Sequence, residues 1–252
     1  MLPDKLPTEV VRGAQPKRYR NLPRLPSPTP CRIAVFVSGK NALARYRNII
    51  TMPTMFRATE AIFELYNVRL DMQPPLAKGF DERSLDSESQ VRVPRKRPPP
   101  GRELTKEELE QYMKYVEDAN TLGKLADARI AGEEGTRLRV VLCEFDYTAE
   151  ELDRAERRSK GFFVKGEALG DPSWKNPADR PIVLINLNAP SFYLADYRLI
   201  LAHEIVHAAG EPHNKAQREK NLMNETPESY RLDRKQLETL ANAPFCKPLR
   251  ER

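Results

Sequence analysis

The stretch His203-Glu204-Ile205-Val206-His207-Ala208-Ala209-Gly210-Glu211-Pro212-His213 decides how the rest of the chain is read. Two histidines four residues apart share one face of a helix. Two imidazoles so placed are able to grip one Zn²⁺ at about 2.0–2.1 Å each. The third ligand has to come from another direction. Gly210 permits the sharp turn that ends the helix and brings His213 back toward the metal. Three protein ligands leave a fourth tetrahedral position open to water. Glu204, beside the metal rather than on it, is the candidate general base for that water, whose pKa a zinc ion lowers from 15.7 to about 7. The competing reading is three histidines that only pack or hydrogen-bond. Against it, the chain holds three histidines in total and all of them fall in this pattern. Random placement of three gives this spacing on the order of once in ten thousand sequences, whereas a bare HExxH is far weaker.

Upstream of the pattern, residues 193–209 (YLADYRLILAHEIVHAA) read as one apolar helix, with Gly210 as its stop. Before it, Arg32–Val37 (RIAVFV), Leu138–Phe145 and Pro181–Leu187 (PIVLINL) are short β-branched runs of the kind that form buried strands. Val68, Leu70 and Met72 alternate as in a further strand, and Gly161–Lys165 (GFFVK) reads as a short one. Pro53–Tyr66 carries Met55, Ala58, Ile62, Phe63 and Tyr66 at helical spacing. Thr105 with Glu108 forms a capping box. The helix that follows is expected to turn Leu109, Tyr112, Met113, Val116, Leu122 and Leu125 inward. A last helix over about 233–242 has Asp233 and Gln236 as its capping box.

HEIVHAAGEPH matches, position by position, the zinc signature HExxHxxGxxH, and the chain resembles the metzincin metallopeptidases, closest to small matrixin-like bacterial members. The resemblance implies an α/β (α+β) fold with a mixed five-stranded sheet, one antiparallel edge strand, a zinc-binding helix and a C-terminal helix. It implies a zinc-dependent endopeptidase holding one catalytic ion through His203, His207 and His213, with Glu204 as base. It also implies a methionine in a tight turn beneath the metal, a role that Met223 in Asn221-Leu222-Met223-Asn224 fits. By the same resemblance the edge strand pairs with the substrate backbone. That assigns weak substrate-binding roles to Gly161, Phe162, Phe163, Val164 and Lys165, although an ordinary hairpin strand is an equal reading of those residues. The chain departs from the pattern in places. Glu225 stands where astacin-like members carry a tyrosine, with Tyr230 a weak substitute, and no PRCGxPD cysteine switch is present.

Length and composition bound the remainder. The 252 residues suit one catalytic domain with extras. Residues 1–30 read as an extended Pro- and Arg-rich arm, residues 31–245 as the metallopeptidase domain with an insertion over 73–135, and residues 246–252 as a tail. The tract Arg92–Arg102 holds five basic residues among prolines and reads as a solvated linker. The net charge of +6 and a pI of about 9.2 allow contact with nucleic acid, but acidic residues are interspersed, so a solvated surface is favoured. The expected partner is a protein or peptide substrate. Two other functions compete: a zinc protease acting on DNA-bound proteins, and a catalytically idle zinc-containing binding module. An intact Glu204 speaks against the second. The opening MLPDKLPTEVVRG has no apolar h-region and no run reaches the length of a membrane span. Synthesis in the cytoplasm is therefore expected, with export by a signal-less route left open. Cys31, Cys143 and Cys246 form no CxxC, which speaks against a cysteine metal site; a Cys31–Cys246 disulfide is left open, and Cys143 in its apolar run is expected to be a buried thiol.

Overall fold

The computed structural model describes residues 21–38, 51–73, 84–85, 91–92, 103, 105–130, 137–146, 166–170, 180–187, 194–214, 220–224 and 229–247. Its strands are β1 (Thr29–Ser38), β2 (Val68–Gln73), β3 (Ser84–Leu85), β4 (Val91–Arg92), β5 (Leu138–Cys143), β6 (Phe145–Asp146), β7 (Gly166–Leu169) and β8 (Ile182–Asn186). Its helices are α1 (Thr51–Leu65), α2 (Lys106–Arg129), α3 (Leu194–Ala208) and α4 (Arg234–Asn242), and a 3₁₀ turn spans Pro244–Cys246.

The main sheet runs β2-β1-β5-β8-β7, with β3 extending the β2 side of β1 and β4 pairing β6 apart from it. β1, β2, β5 and β8 are parallel, and β7 alone runs antiparallel, against β8. This is the mixed five-stranded sheet with one antiparallel edge strand expected from the sequence. That strand begins at Gly166; Gly161–Lys165, read as the edge strand, lie outside the described residues. Parallel neighbours require a crossover, and α1 supplies it between β1 and β2. Asn67 closes that crossover at φ 64°, a conformation asparagine tolerates, while its side-chain amide donates to the Leu25 carbonyl at 3.0 Å. Leu22 and Leu25, in the stretch read as an arm, pack on the core from this side.

Both faces of the sheet are buried at its centre, which is why β1, β5 and β8 carry nearly continuous apolar runs, whereas β2 at the edge alternates. On one face Ile33, Val35, Val37, Val140, Leu142, Val183 and Ile185 meet α1, α3 and α4. On the other, Ala34, Phe36, Val141, Cys143, Ile182 and Leu184 meet α2. Residues 73–135, read as an insertion, thus contribute the helix that closes the second face.

Of the side chains expected inward on α2, Leu122 is buried and Val116 packs against the second face, and the other four are exposed. Tyr115, Ala119, Leu122, Gly123 and Ala126 are buried, whereas Leu109, Tyr112, Met113 and Leu125 are exposed. Arg139 on β5 passes beneath Gly123, where an added Cβ would fall 2.6 Å from its Nη1, and bridges to Asp127 at 3.0 Å. The guanidinium leaves no room for a side chain at position 123, while Tyr115 and Leu122 on either side still pack inward. Both expected capping boxes are present, Thr105 with Glu108 and Asp233 with Gln236.

The 3₁₀ turn seals the first face against β1. Cys31 and Cys246 are both buried there, and the Arg32 guanidinium donates to the Lys247 carbonyl. All three cysteines are free thiols, and Cys143 is buried on the opposite face, as read from its apolar run. Among the described residues no helix is long and apolar enough to cross a membrane.

Candidate metal centre

Helix α3 is apolar on nearly all sides because it lies between the sheet and α1; from Leu199 to Val206 every residue is buried, His203 and Glu204 included. Its end is defined by two main-chain bonds. The Gly210 N–H donates to the His207 carbonyl at 2.8 Å, and the Glu211 N–H to the Val206 carbonyl at 3.3 Å. This is a Schellman closure, and Gly210 takes the left-handed conformation it requires, φ 101°. The chain therefore reverses at the position where the sequence demanded a turn.

The reversal brings His213 back to the helix. Ring centroids are 4.4 Å apart for His203 and His207, 4.5 Å for His207 and His213, and 5.4 Å for His203 and His213. One ligand atom from each histidine lies within 4.8 Å of those of the other two. Main-chain carbonyls set the orientation of two of the rings. His203 Nδ1 lies 2.6 Å from the Leu222 carbonyl, and His207 Nδ1 lies 2.6 Å from the Glu211 carbonyl. A carbonyl only accepts, so each Nδ1 carries the proton and each Nε2 presents a lone pair. Those two Nε2 atoms face each other at 3.0 Å. Two 2.0–2.1 Å bonds at a tetrahedral angle place their nitrogens about 3.3 Å apart, so the donor set fits a zinc-sized cation. Burial, then the neighbouring His207, push the His203 pKa down to about 3; the Leu222 carbonyl opposes this and His213 adds to it. His203 accordingly stays neutral at physiological pH, as a metal ligand must.

The segment that supplies the Leu222 carbonyl was read from the sequence only for its methionine. Met223 is fully buried, in the same cluster as the residues of α3, and its carbonyl accepts from the Asn214 N–H at 2.7 Å, next to His213. Tyr230, the weak tyrosine candidate, is buried with its carbonyl accepting from the Tyr66 hydroxyl at 2.9 Å. Glu225 and residues 161–165 lie outside the described residues. Sequence reasoning did not find Leu222 or Glu211 as supports for the imidazoles. Both act through the main chain, which carries no residue-type signal.

No family model matches this chain, and no curated protein matches it. Among solved structures it is similar to metalloproteinase-II from Bacteroides fragilis, at 13% identity and a TM-score of 0.42. The match covers 90% of this chain and 58% of that one, so the chain spans less than two thirds of that protein. The likeness is too distant to bear on the chemistry, which is read from the side chains themselves.

Proposed function

We propose that this protein is a zinc-dependent endopeptidase of the metzincin kind. The observation that carries the proposal is the convergence of three imidazoles, two of them oriented by main-chain carbonyls, with a buried carboxylate one residue after the first. His203, His207 and His213 would hold the ion. Zinc, when bound, supplies Lewis-acid activation of water and of a peptide carbonyl. Glu204 removes a proton from the attacking water and returns it to the leaving amine. The Leu222 and Glu211 carbonyls keep His203 and His207 in the ligating tautomer throughout. Met223 forms the floor of the site without ligating. An extended peptide substrate adds to the sheet along β7, the antiparallel edge strand.

The test is a peptide-library digest read by mass spectrometry with zinc-loaded protein, run beside two variants. Glu204→Gln keeps the ligands and should retain zinc while losing a factor of about 10²–10⁴ in hydrolysis. His207→Ala should lose the metal itself. Undiminished hydrolysis by zinc-loaded Glu204→Gln would remove Glu204 as the base, and no hydrolysis by the zinc-loaded wild type would leave the metal site standing and remove the peptidase.

A further inference from the structure

The orientation of His203 depends on where the Leu222 carbonyl sits, and two hydrogen bonds join that carbonyl's turn to α4 and the residues leading into it, with one more inside each of the two segments. The Leu222 N–H donates to the Arg231 carbonyl at 2.7 Å, fixing the turn from its back. The side chain of Asn221 fixes it from within. Its Oδ1 accepts the Met223 N–H at 2.7 Å, and its Nδ2 donates to Gln236 Oε1 at 3.0 Å. The same Gln236 oxygen accepts the Asp233 N–H at 2.9 Å, so the capping box of α4 and the turn beneath the histidines share one atom. Asn221 and Gln236 are both buried, 8% and 3% exposed.

We propose that Asn221 and Gln236 are positioning residues for the metal ligand His203, transmitting the rigidity of the α4 N-terminus to the Leu222 carbonyl. This rests on the metal-centre reading above. Asn221 is suited to the task because an amide is at once acceptor and donor. Its oxygen holds the turn in its Asx form while its nitrogen reaches the helix. In the buried site no water replaces either bond without rearrangement. Without the amide the 221–224 turn keeps only its main-chain bonds to Arg231 and Asn214, the Leu222 carbonyl shifts relative to Nδ1, and the His203 proton is less confined to the nitrogen that points away from the metal. Loss of such an outer partner typically weakens metal affinity 10–100-fold.

The experiment measures zinc affinity by competition with a chromophoric chelator, alongside thermal unfolding of the metal-free protein. Asn221→Ala and Gln236→Leu should each weaken zinc binding about 10–100-fold. Gln236→Glu keeps an oxygen acceptor for both the Asn221 amide and the Asp233 N–H and should bind zinc as the wild type does. Thr105→Ala removes the matching cap of α2, far from the histidines, and should lower the unfolding temperature without changing zinc affinity. Should Asn221→Ala fail to fold, Asn221→Asp takes its place, since it keeps the acceptor for Met223 and loses only the donor to Gln236. Wild-type zinc affinity in Gln236→Leu and in the folded Asn221 variant overturns the positioning role, as does an equal loss in Thr105→Ala. A wild-type protein that binds no zinc overturns the metal reading instead, so the two failures are distinct.

Discussion

Replacing Gly210 by alanine tests the geometry of the turn with the least disturbance elsewhere. Gly210 is exposed, so an added methyl meets no packed core and the effect is confined to the backbone. At φ 101° an L-residue is strained by roughly 1–2 kcal/mol. The chain has two responses. It keeps the turn and bears the strain, which lowers the stability of the metal-free protein. Alternatively it rotates toward negative φ, which breaks the Glu211 N–H bond to Val206 and withdraws both the Glu211 carbonyl from His207 and the chain leading to His213. Zinc binding then has to restore the strained form, and affinity falls instead. The two losses, stability of the metal-free protein and free energy of zinc binding, should add up to roughly 1–2 kcal/mol, a combined factor of about 5–30. Urea unfolding of the metal-free protein gives the first and chelator competition the second. A Gly210→Ala variant that matches the wild type in both would refute the argument, because the turn would then not need glycine to deliver the third histidine.

Three further outcomes are expected. Tyr66→Phe removes a hydroxyl that donates to the Tyr230 carbonyl at 2.9 Å and accepts from the Leu232 N–H at 2.7 Å. Leaving those two buried groups unmatched should lower stability by about 2–4 kcal/mol in urea unfolding, and a change under 0.5 would show that the tether carries no weight. His203 is held at about 3, chiefly by burial and then by His207, against about 6.5 in an unfolded chain, so between those values the unfolded chain binds a proton that the folded one refuses. Stability of the metal-free protein is therefore full above about pH 6.5 and falls as the pH drops toward 3; His203→Asn should flatten that slope between pH 7 and 5. Burial raises the pKa of Cys31 and Cys143 and hides all three thiols, so iodoacetamide at pH 8 should label none in the native protein and three after denaturation. Native labelling of Cys143 would mean that the second face is open.

The candidate site was legible to the extent that it depends on residue type. Imidazoles, a carboxylate and a glycine have few substitutes for these roles, so His203, Glu204, His207, Gly210 and His213 stand out in a single stretch. Capping boxes were legible for the same reason, since only particular side chains satisfy the first N–H groups of a helix. The supports at Leu222 and Glu211 left no trace, because any residue presents a carbonyl. The side of α2 that faces the sheet was read correctly at Val116 and Leu122 and misread elsewhere, because hydrophobic periodicity weights large apolar residues, whereas the buried positions include Ala119 and Ala126 and a Gly123 that Arg139 leaves no room to enlarge. An arginine inside a layer is a tertiary fact, and no local pattern in residues 106–129 announces it.

The seal between β1 and the turn at Pro244–Cys246 has a consequence for the order in which the molecule comes into being. Arg32 and Lys247 are 215 positions apart and touch. At about 5–20 residues per second, a ribosome needs roughly 11–43 s to travel from one to the other. Over that interval the inner strand waits with Cys31 uncovered, and α4, which anchors the turn under the histidines, does not yet exist. The fold thus separates synthesis from competence: a nascent chain carries the whole histidine stretch roughly 2–7 s before Lys247 is added, whereas β1 waits far longer for the same seal.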